Sequence, residues 1–306
     1  MKDNVIIATE IENKQQAPGF IGTKITFIKG ENDHTPWYYK KDMEAFRIEN
    51  GSIKVVTKDS TVFADEGDIL FVSKGVIHKI IGTTDSVINM ITFQATLFDP
   101  EGSVEGPIRR LFSSSIFMVN KILSTSNIGK RANDCFKESY SALTEEKEEA
   151  EVLSLNSFSS LFLLLIKAYS NKIKPSKKET IGTKKVKSMM DYINANISSS
   201  ISLGTLAKLI KASPRETMRL FKGELNESPI QFAMSVKLYK GLEEILLDPT
   251  TPINLIAKKL GFNSPSYFTE LFTREYNAKP SEISTKRNIT KWTEDPFGSL
   301  NKFFGG

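Results

Sequence analysis

Residues 212–229 read ASPRETMRLFKGELNESP, and residues 263–280 read NSPSYFTELFTREYNAKP. Seven residues recur between the two stretches at a constant offset of 51, in the order Ser, Pro, Leu, Phe, Glu, Asn and a closing Pro. Upstream, LAKL at 206–209 returns as IAKK at 256–259, with an offset of 50. Two copies are too few for a solenoid, so the sequence indicates a duplicated supersecondary unit.

Each copy predicts a sharply bounded helix. Ser213 can accept the first backbone hydrogen bonds as an N-cap, Pro214 suits the first helical position, and Glu216 would complete a capping box. Asn226 ends the first copy and Asn277 the second, and asparagine tolerates the left-handed conformation that terminates helices.

Each of these helices follows a shorter predicted one, which in the first copy spans 203–210. The pattern is therefore a helix-turn-helix, written twice. Further helices are predicted over about 184–196 and from Ser228 to Leu247, and the second of these would connect the two copies.

The two copies share their buried residues and differ on the opposite helix face. The predicted buried stripes are Thr217, Leu220, Phe221 and Leu225 in the first copy and Phe268, Leu271, Phe272 and Tyr276 in the second. The outward residues are Arg215, Met218, Arg219 and Lys222 in the first copy and Ser266, Thr269, Glu270 and Thr273 in the second.

These outward residues are the candidate DNA contacts. An arginine can pair with both acceptors of a guanine, a methionine can touch a thymine methyl group, and a lysine one turn later suits a phosphate. The simpler alternatives are solvated surface arginines and, for Met218, a side chain that only covers apolar surface.

Charge is divided unevenly along the 306 residues. Residues 1–175 carry 21 Lys and Arg against 23 Asp and Glu, whereas residues 176–306 carry 20 against 13, a net +7. Excess lysine can serve solubility alone, but here it accompanies the repeat, which favours a polyanionic partner for the second part.

The first part reads as β-structure followed by helices. Residues 20–95 hold short β-rich runs, with a hairpin predicted at Asn50-Gly51, and they predict an antiparallel sandwich or barrel. Helices are predicted over 106–123 and 144–172, and a lysine-rich linker follows. The apolar stripe Leu155, Phe158, Phe162, Leu165 and Tyr169 fits either packing against the β-domain or a dimer seam.

Residues 186–285 resemble the DNA-binding domain of the AraC/XylS family of bacterial transcription regulators. The resemblance is carried by SLGTLAKLIKASPRETMRLFKGELNESPIQF and PINLIAKKLGFNSPSYFTELFTREYNAKPSEI. The chain departs from the family where Asn226 and Asn277 replace the usual glycine and where Gly241 replaces the usual alanine, which would loosen the connecting helix slightly. Glu270 also departs, because family members often carry a basic residue there.

The first 100 residues resemble the family's cupin-like effector domain more weakly, through GDILFVSKGVIH at 67–78 and HTPWYYKK at 34–41. The resemblance implies an effector pocket in this domain. His34 and His78 are either ordinary residues of the barrel or part of the pocket lining, with Trp37 and Tyr39 as its apolar walls. Pro36 stands where a metal-binding cupin has its second histidine. Two histidines in the whole chain cannot supply the usual three or four ligands, so no metal and no cofactor are expected.

The expected fold class is α+β, with an N-terminal cupin-like β-barrel and helical extension followed by an all-α domain with two helix-turn-helix motifs. The expected parts are an effector-binding domain at 1–105, a helical dimerisation or packing segment at 106–172, a linker at 173–183, the DNA-binding domain at 184–288 and a tail at 289–306.

The expected function is a sequence-specific transcription regulator, not an enzyme, that binds promoter DNA in response to an unknown small-molecule effector. RNA polymerase would be a partner if the protein activates transcription, and the protein is expected to form a homodimer. Two alternatives stay open: a metal-dependent cupin enzyme fused to a DNA-binding module, and a regulator controlled by a protein partner. The single cysteine, Cys135, and the lack of a long apolar run favour a cytoplasmic protein with no membrane association.

Overall fold

The computed structural model separates the chain into two compact units. Of the described residues, one unit contains residues 8–11, the later β-strands and the first two helices, and the other contains residues 6–7, 34–38 and 179–290. The structure describes residues 6–11, 19–28, 34–94, 97, 119–144, 149–169 and 179–290.

The first unit is built on two antiparallel sheets. The strands are β1 (Ile6–Ile11), β2 (Phe20–Ile28), β3 (Met43–Asn50), β4 (Ser52–Thr57), β5 (Thr61–Asp65), β6 (Ile69–Val72), β7 (His78–Gly82), β8 (Ser86–Phe93) and β9 (Val119–Ile122). One sheet has the order β1-β2-β8-β3-β6-β9 and the other the order β5-β4-β7. The predicted fold class is confirmed, and the described strands form two separate sheets rather than a closed barrel.

The predicted hairpin at Asn50-Gly51 is wrong, because the turn joins strands of different sheets. Strand β3 is hydrogen-bonded to β8 on one edge and β6 on the other, so no edge remains for β4. Strand β4 pairs instead with β5 and β7. Gly51 has a φ of 75°, and it carries the chain around this corner.

Strand β3 is buried on both faces over most of its length. Met43 and Ala45 belong to an apolar cluster shared with helices, whereas Glu44, Phe46 and Ile48 alternate with them and point to the other face. That second face is the interior of the sandwich, where Ile53 and Ile80 of the smaller sheet are also fully buried.

Two helices, α1 (Gly129–Thr144) and α2 (Ala150–Tyr169), cover the outer face of the larger sheet. Phe158 contacts Phe93 of β8 at 4.4 Å between ring centroids, and Phe162 contacts the same ring at 6.2 Å. With Leu165 also buried, these residues follow the predicted packing against the β-domain. By length and composition α2 could cross a bilayer, but its apolar face forms the core of this unit.

The helix predicted over 106–123 is wrong where it can be checked. Residues 119–122 form β9, which pairs antiparallel with β6, and residues 106–118 lie outside the described part. The local pattern is helix-compatible, but the open edge of β6 offers backbone hydrogen bonds that local periodicity cannot reveal. Helix α1 was not singled out from the sequence.

The second unit is helical throughout its described residues. Its helices are α3 (Ile181–Ala195), α4 (Leu203–Leu209), α5 (Pro214–Leu225), α6 (Pro229–Leu247), α7 (Ile253–Lys259), α8 (Pro265–Tyr276) and α9 (Pro280–Thr290). Helix α3 begins three residues before the predicted position because Thr180 caps it, accepting a hydrogen bond from the Thr183 N–H. The predicted tail after residue 290 lies outside the described residues.

Helix α6 connects the two repeats, and α8 packs closely on it at Gly241. A Cβ at Gly241 would lie 2.9 Å from two ring atoms of Phe268. The glycine therefore brings the ring of Phe268 against the helix backbone, whereas the sequence alone had suggested a loosened connecting helix.

The two repeats should respond oppositely to changes at one equivalent turn position. Lys211 has a φ of 51° and Gly261, its counterpart 50 residues later, a φ of 73°. Lys211→Gly should stabilise the protein by about 0.5–1 kcal/mol, because a left-handed conformation strains a residue with a Cβ. Gly261→Ala should destabilise it by more than about 1 kcal/mol, because the new Cβ would overlap the Ser198 carbonyl oxygen.

Thermal unfolding of the two variants beside the wild type checks this prediction. A stabilised Gly261→Ala protein, or a destabilised Lys211→Gly protein, would contradict it.

Candidate nucleic-acid interface

The two repeats fold into helix-turn-helix units with the same hydrogen bonds. In the first, the Lys211 N–H donates to the Lys208 carbonyl (3.2 Å) and the Ala212 N–H to the Ala207 carbonyl (3.0 Å). In the second, the Gly261 N–H donates to Lys258 (3.0 Å) and the Phe262 N–H to Ala257 (2.9 Å). Every partner is displaced by 50 residues, so the sequence repeat is a repeat of backbone structure.

The predicted caps position the second helix of each unit. Ser213 accepts a hydrogen bond from the Glu216 N–H and Ser264 one from the Tyr267 N–H. The full reciprocal capping box forms at the start of α6, between Ser228 and Gln231, rather than at Glu216. Asn226 and Asn277 take the predicted left-handed conformation, with φ values of 57° and 51°.

The burial of α5 orients its polar face outward. Thr217, Phe221 and Leu225 are buried, and Leu220 is half-buried. The predicted DNA-contacting residues lie on the opposite side, where Arg215, Arg219 and Lys222 are exposed and Met218 is half-buried.

Within the described part of the chain, none of Arg215, Arg219 and Lys222 forms an ion pair with a carboxylate. Unpaired cations on an exposed helix face keep their charge available for an anionic ligand, whereas surface arginines in ion pairs would have to break them first. Residues of this face can therefore contact phosphates and base edges.

The outward face of α8 is a shallow concave surface. Its groove has a volume of about 740 Å³ and is lined by Ile253, Asn254, Pro265, Ser266, Thr269, Glu270, Thr273, Arg274 and Lys279. The structure thus brings together the predicted residues of the second repeat. Three further residues line the groove: Asn254 from α7, Arg274 from α8, and Lys279 from the turn that follows α8. The sequence reasoning missed Asn254 and Lys279, since their proximity arises only after folding.

The four predicted effector residues are divided between the two compact units. His34 and Trp37 belong to the helical unit, and His34 Nε2 lies 3.8 Å from Glu275 Oε1. Tyr39 and His78 belong to the β unit, where His78 is completely buried.

His78 lies in a polar cluster inside the sandwich that the sequence reasoning missed. Its Nε2 is 3.4 Å from Glu44 Oε2, while Lys40 Nζ is 3.6 Å from Glu44 Oε1 and donates to Thr92 Oγ1 at 3.2 Å. Thr23, on the neighbouring strand, has a fully buried hydroxyl that finds no hydrogen-bond partner among the described residues. A carboxylate on the same inward strand face as Phe46 and Ile48 was the signal available in the sequence.

The interaction between His78 and Glu44 depends on whether a proton lies between them. The Nδ1 of His78 donates to the Val76 carbonyl at 2.9 Å, so a neutral ring turns the lone pair of Nε2 toward Glu44. Burial lowers the pKa of His78 and the nearby Glu44 carboxylate opposes this effect. The contact between Nε2 and Oε2 is favourable only when one of the two groups carries a proton.

The described residues contain no group of three or more His, Cys, Asp or Glu side chains arranged to hold a metal ion. Cys135 is half-buried, and burial raises the pKa of its thiol, which disfavours the reactive thiolate.

The chain is similar to known proteins both over the helical unit and over most of its length. Residues 206–286 match the model of a helix-turn-helix domain family. The transcriptional regulator YdeC of Bacillus subtilis is 22% identical over 265 residues, which cover 84% of this chain and 88% of that protein. The arabinose operon regulatory protein of Escherichia coli is 24% identical over 153 residues, covering 49% of this chain and 50% of that protein.

The fold is shared with ToxT of Vibrio cholerae. The structure of an apo variant of ToxT superimposes with a TM-score of 0.54 at 15% identity, covering 89% of this chain and 99% of that one. A second ToxT structure, with a TM-score of 0.52 at 16% identity over 88% of this chain and 99% of that one, is bound to (E)-4-(8-methylnaphthalen-1-yl)but-3-enoic acid.

The two outward faces should contribute unequally to sequence-specific binding. Arg219→Ala should weaken binding to the preferred duplex by about 1–3 kcal/mol and relax the preference at one base pair. Glu270→Ala should leave affinity unchanged or raise it on all sequences, because a carboxylate near phosphates is repelled unless it accepts from a cytosine amine. Fluorescence anisotropy on the preferred duplex and on its single-base variants measures both effects.

Thermal unfolding serves as the control, because both side chains are exposed and the melting temperature should barely move. Loss of specific binding in Glu270→Ala together with wild-type binding in Arg219→Ala would reverse the assignment.

Proposed function

We propose that this chain is a transcription regulator of the AraC/XylS type, and that its two helix-turn-helix units bind promoter DNA in response to a small molecule held by the N-terminal β unit. The observation that carries the DNA-binding part is the exposed cationic face of α5, whose arginines and lysine form no ion pair within the described part of the chain. The net charge of +7 over residues 176–306 supports it.

Each helix-turn-helix would place its second helix in the major groove. Arg215 and Arg219 would read base edges, Met218 a thymine methyl, and Lys222 a phosphate. Ser266, Thr269 and Glu270 would make the weaker contacts of the second unit. Promoter DNA in the cytoplasm is the proposed partner, with RNA polymerase as a second partner where the protein activates. We assign no catalytic residue.

The effector is proposed to act on the polar cluster of Lys40, Glu44, His78 and Thr92 inside the sandwich. Charged groups are costly in an apolar interior, so replacing them with apolar residues would often stabilise a domain. Their retention favours a ligand-linked role. The carboxylic acid bound to ToxT supports the idea that a chain of this fold takes a small organic ligand. Tyr39 adjoins Lys40 in the same unit and is proposed as an effector contact. His34 and Trp37 lie in the helical unit, so they are weaker candidates for contacting the effector.

A homodimer is proposed to form through the exposed side of α2. Phe158 and Phe162 of the predicted stripe face the sheet, but Val152, Leu155 and Leu163 are exposed along the opposite side of the helix. These side chains recur at nearly helical spacing, which gives a second helix an apolar surface to pack against.

Salt dependence tests the DNA-binding proposal. The affinity of the full-length protein for duplex DNA should fall by on the order of a thousandfold between about 50 and 200 mM salt, since neutralised phosphates release counterions. Lys222→Ala should reduce the slope of log affinity against log salt by about 1. Lys137→Ala removes an exposed lysine from the β unit and should leave the slope unchanged, so equal slopes in both variants would argue against Lys222 as a phosphate contact.

Native mass spectrometry of the purified full-length protein tests the effector and dimer proposals together. We expect a dimeric mass carrying a small organic molecule, and no stoichiometric metal. A Glu44→Gln variant, which keeps the size of the side chain, should lose the bound molecule. One equivalent of a transition metal that survives dialysis against a chelator would instead favour the enzyme alternative, and a monomer at micromolar concentration would oppose the dimer.

A further inference from the structure

The two helix-turn-helix units touch each other outside the connecting helix α6. The loop between α3 and α4 precedes the first helix-turn-helix. Its Ser198 carbonyl oxygen lies directly against Gly261, which is in the turn of the second helix-turn-helix. A Cβ at residue 261 would overlap that oxygen, so only glycine permits the approach. We call the set Ser198, Ser199, Lys237, Gly261 and Phe262 the inter-motif contact.

Lys237 of α6 joins both sides of the inter-motif contact. Its Nζ donates a long hydrogen bond of 3.4 Å to the Ser199 carbonyl and lies 5.6 Å from the centroid of the Phe262 ring. The residue is only 9% exposed, and among the described residues no carboxylate lies within 4.0 Å of its Nζ. Burial of an ammonium group is unfavourable, so the carbonyl and the aromatic ring are what compensate it.

Comparison of the repeats shows that Gly261 serves this contact rather than the turn itself. The equivalent position in the first helix-turn-helix is Lys211, which adopts the same left-handed conformation and has an exposed side chain. A helix-turn-helix of this chain therefore tolerates a Cβ at that position. Glycine is required in the second helix-turn-helix because the Ser198 carbonyl occupies the space that a Cβ at residue 261 would need.

The inter-motif contact is connected to both second helices. On one side, the ring of Phe262 lies 5.1 Å from that of Phe268, which is buried in α8. On the other, the loop is held to α3 by hydrogen bonds from Asn196 to Tyr192.

Helix α3 in turn supports α5, because a Cβ at Gly182 would lie 3.3 Å from Leu220. Movement of α5 relative to α8 would thus have to break the inter-motif contact.

We propose that Lys237 and Gly261 are positioning residues that fix the separation and orientation of α5 and α8, so that the protein reads two DNA segments at one spacing only. Helix α6 alone would leave freedom at its two ends, after Asn226 and Asp248, and the inter-motif contact removes it. The proposal rests on the proposed DNA-binding function and adds a constraint on the form of the operator.

The test starts with in vitro selection of random DNA duplexes by the full-length protein. The selected sequences should contain two base-specific segments at a fixed separation. Adding or removing one base pair between them displaces one segment by about 3.4 Å and rotates it by about 35°, and should weaken wild-type binding about tenfold. For each protein, the affinity at every spacing is divided by its affinity at the best spacing, which gives a spacing profile. A loss of affinity that is the same at all spacings, such as that caused by removing a charge, then cancels.

Lys237→Met should flatten this spacing profile, because it keeps the apolar stem and removes the cation. Lys237→Arg should restore the wild-type profile, since its guanidinium can contact both the carbonyl and the ring. Lys259→Met is the matched control: it removes an exposed lysine that pairs with Glu244, and it should lower affinity without changing the profile. If Lys237→Met does not fold, Lys237→Gln is measured in its place, with the same flattening expected.

A wild-type protein that binds equally well at several spacings, or a Lys237→Met or Lys237→Gln profile identical to that of the wild type, would overturn the proposal. Failure to select any duplex would instead overturn the DNA-binding function itself, so the two failures are distinguishable.

Discussion

Burial of one phenylalanine in each repeat is the constraint on which the DNA-binding unit depends. Phe221 and Phe272 are completely inaccessible to solvent, and they occupy equivalent positions in the two copies. Helices α4 and α7 have only seven residues each, which is too short for a stable isolated helix. Each helix-turn-helix therefore exists only because its apolar stripe packs, with Phe221 against Phe232 and Phe272 against Phe268. The outward direction of Arg219 and Glu270 follows from this burial.

The two units use charge in opposite ways. In the helical unit, Arg215, Arg219 and Lys222 remain in solvent, where an ionic group costs little and a polyanion can reach it. In the β unit, Glu44 and His78 are withdrawn from solvent, and each depends on the other and on Lys40. A bound molecule that supplies or removes one hydrogen bond there would change a large local energy, because a buried polar group left unpaired is costly. This makes the sandwich interior a sensitive place for ligand control.

The duplication has been followed by specialisation of the copies. Their serine caps, the hydrogen bonds of their turns and the inward face of the second helix remain alike, because these features define the helix-turn-helix fold. The outward faces have diverged to three cations in one and a carboxylate in the other. Gly261 lies against the loop before the first helix-turn-helix, and Phe262 lies against Lys237 of the connecting helix. Two similar motifs have thereby become non-equivalent parts of one reading surface.

The sequence by itself determined the features that depend on neighbours along the chain. Serine caps, asparagine ends, the helical spacing of Phe221 and Leu225, and the repeat that reveals the double helix-turn-helix are all local signals, and the structure confirms them. Only the tertiary structure decided the rest. Residues 119–122 are a strand because β6 has an open edge, and Asn50-Gly51 is a corner between sheets because both edges of β3 are occupied. His78, Glu44 and Lys40 meet from separate segments, as do Lys237, Ser199 and Phe262. Such contacts join residues far apart in the chain, and no local periodicity or propensity encodes them.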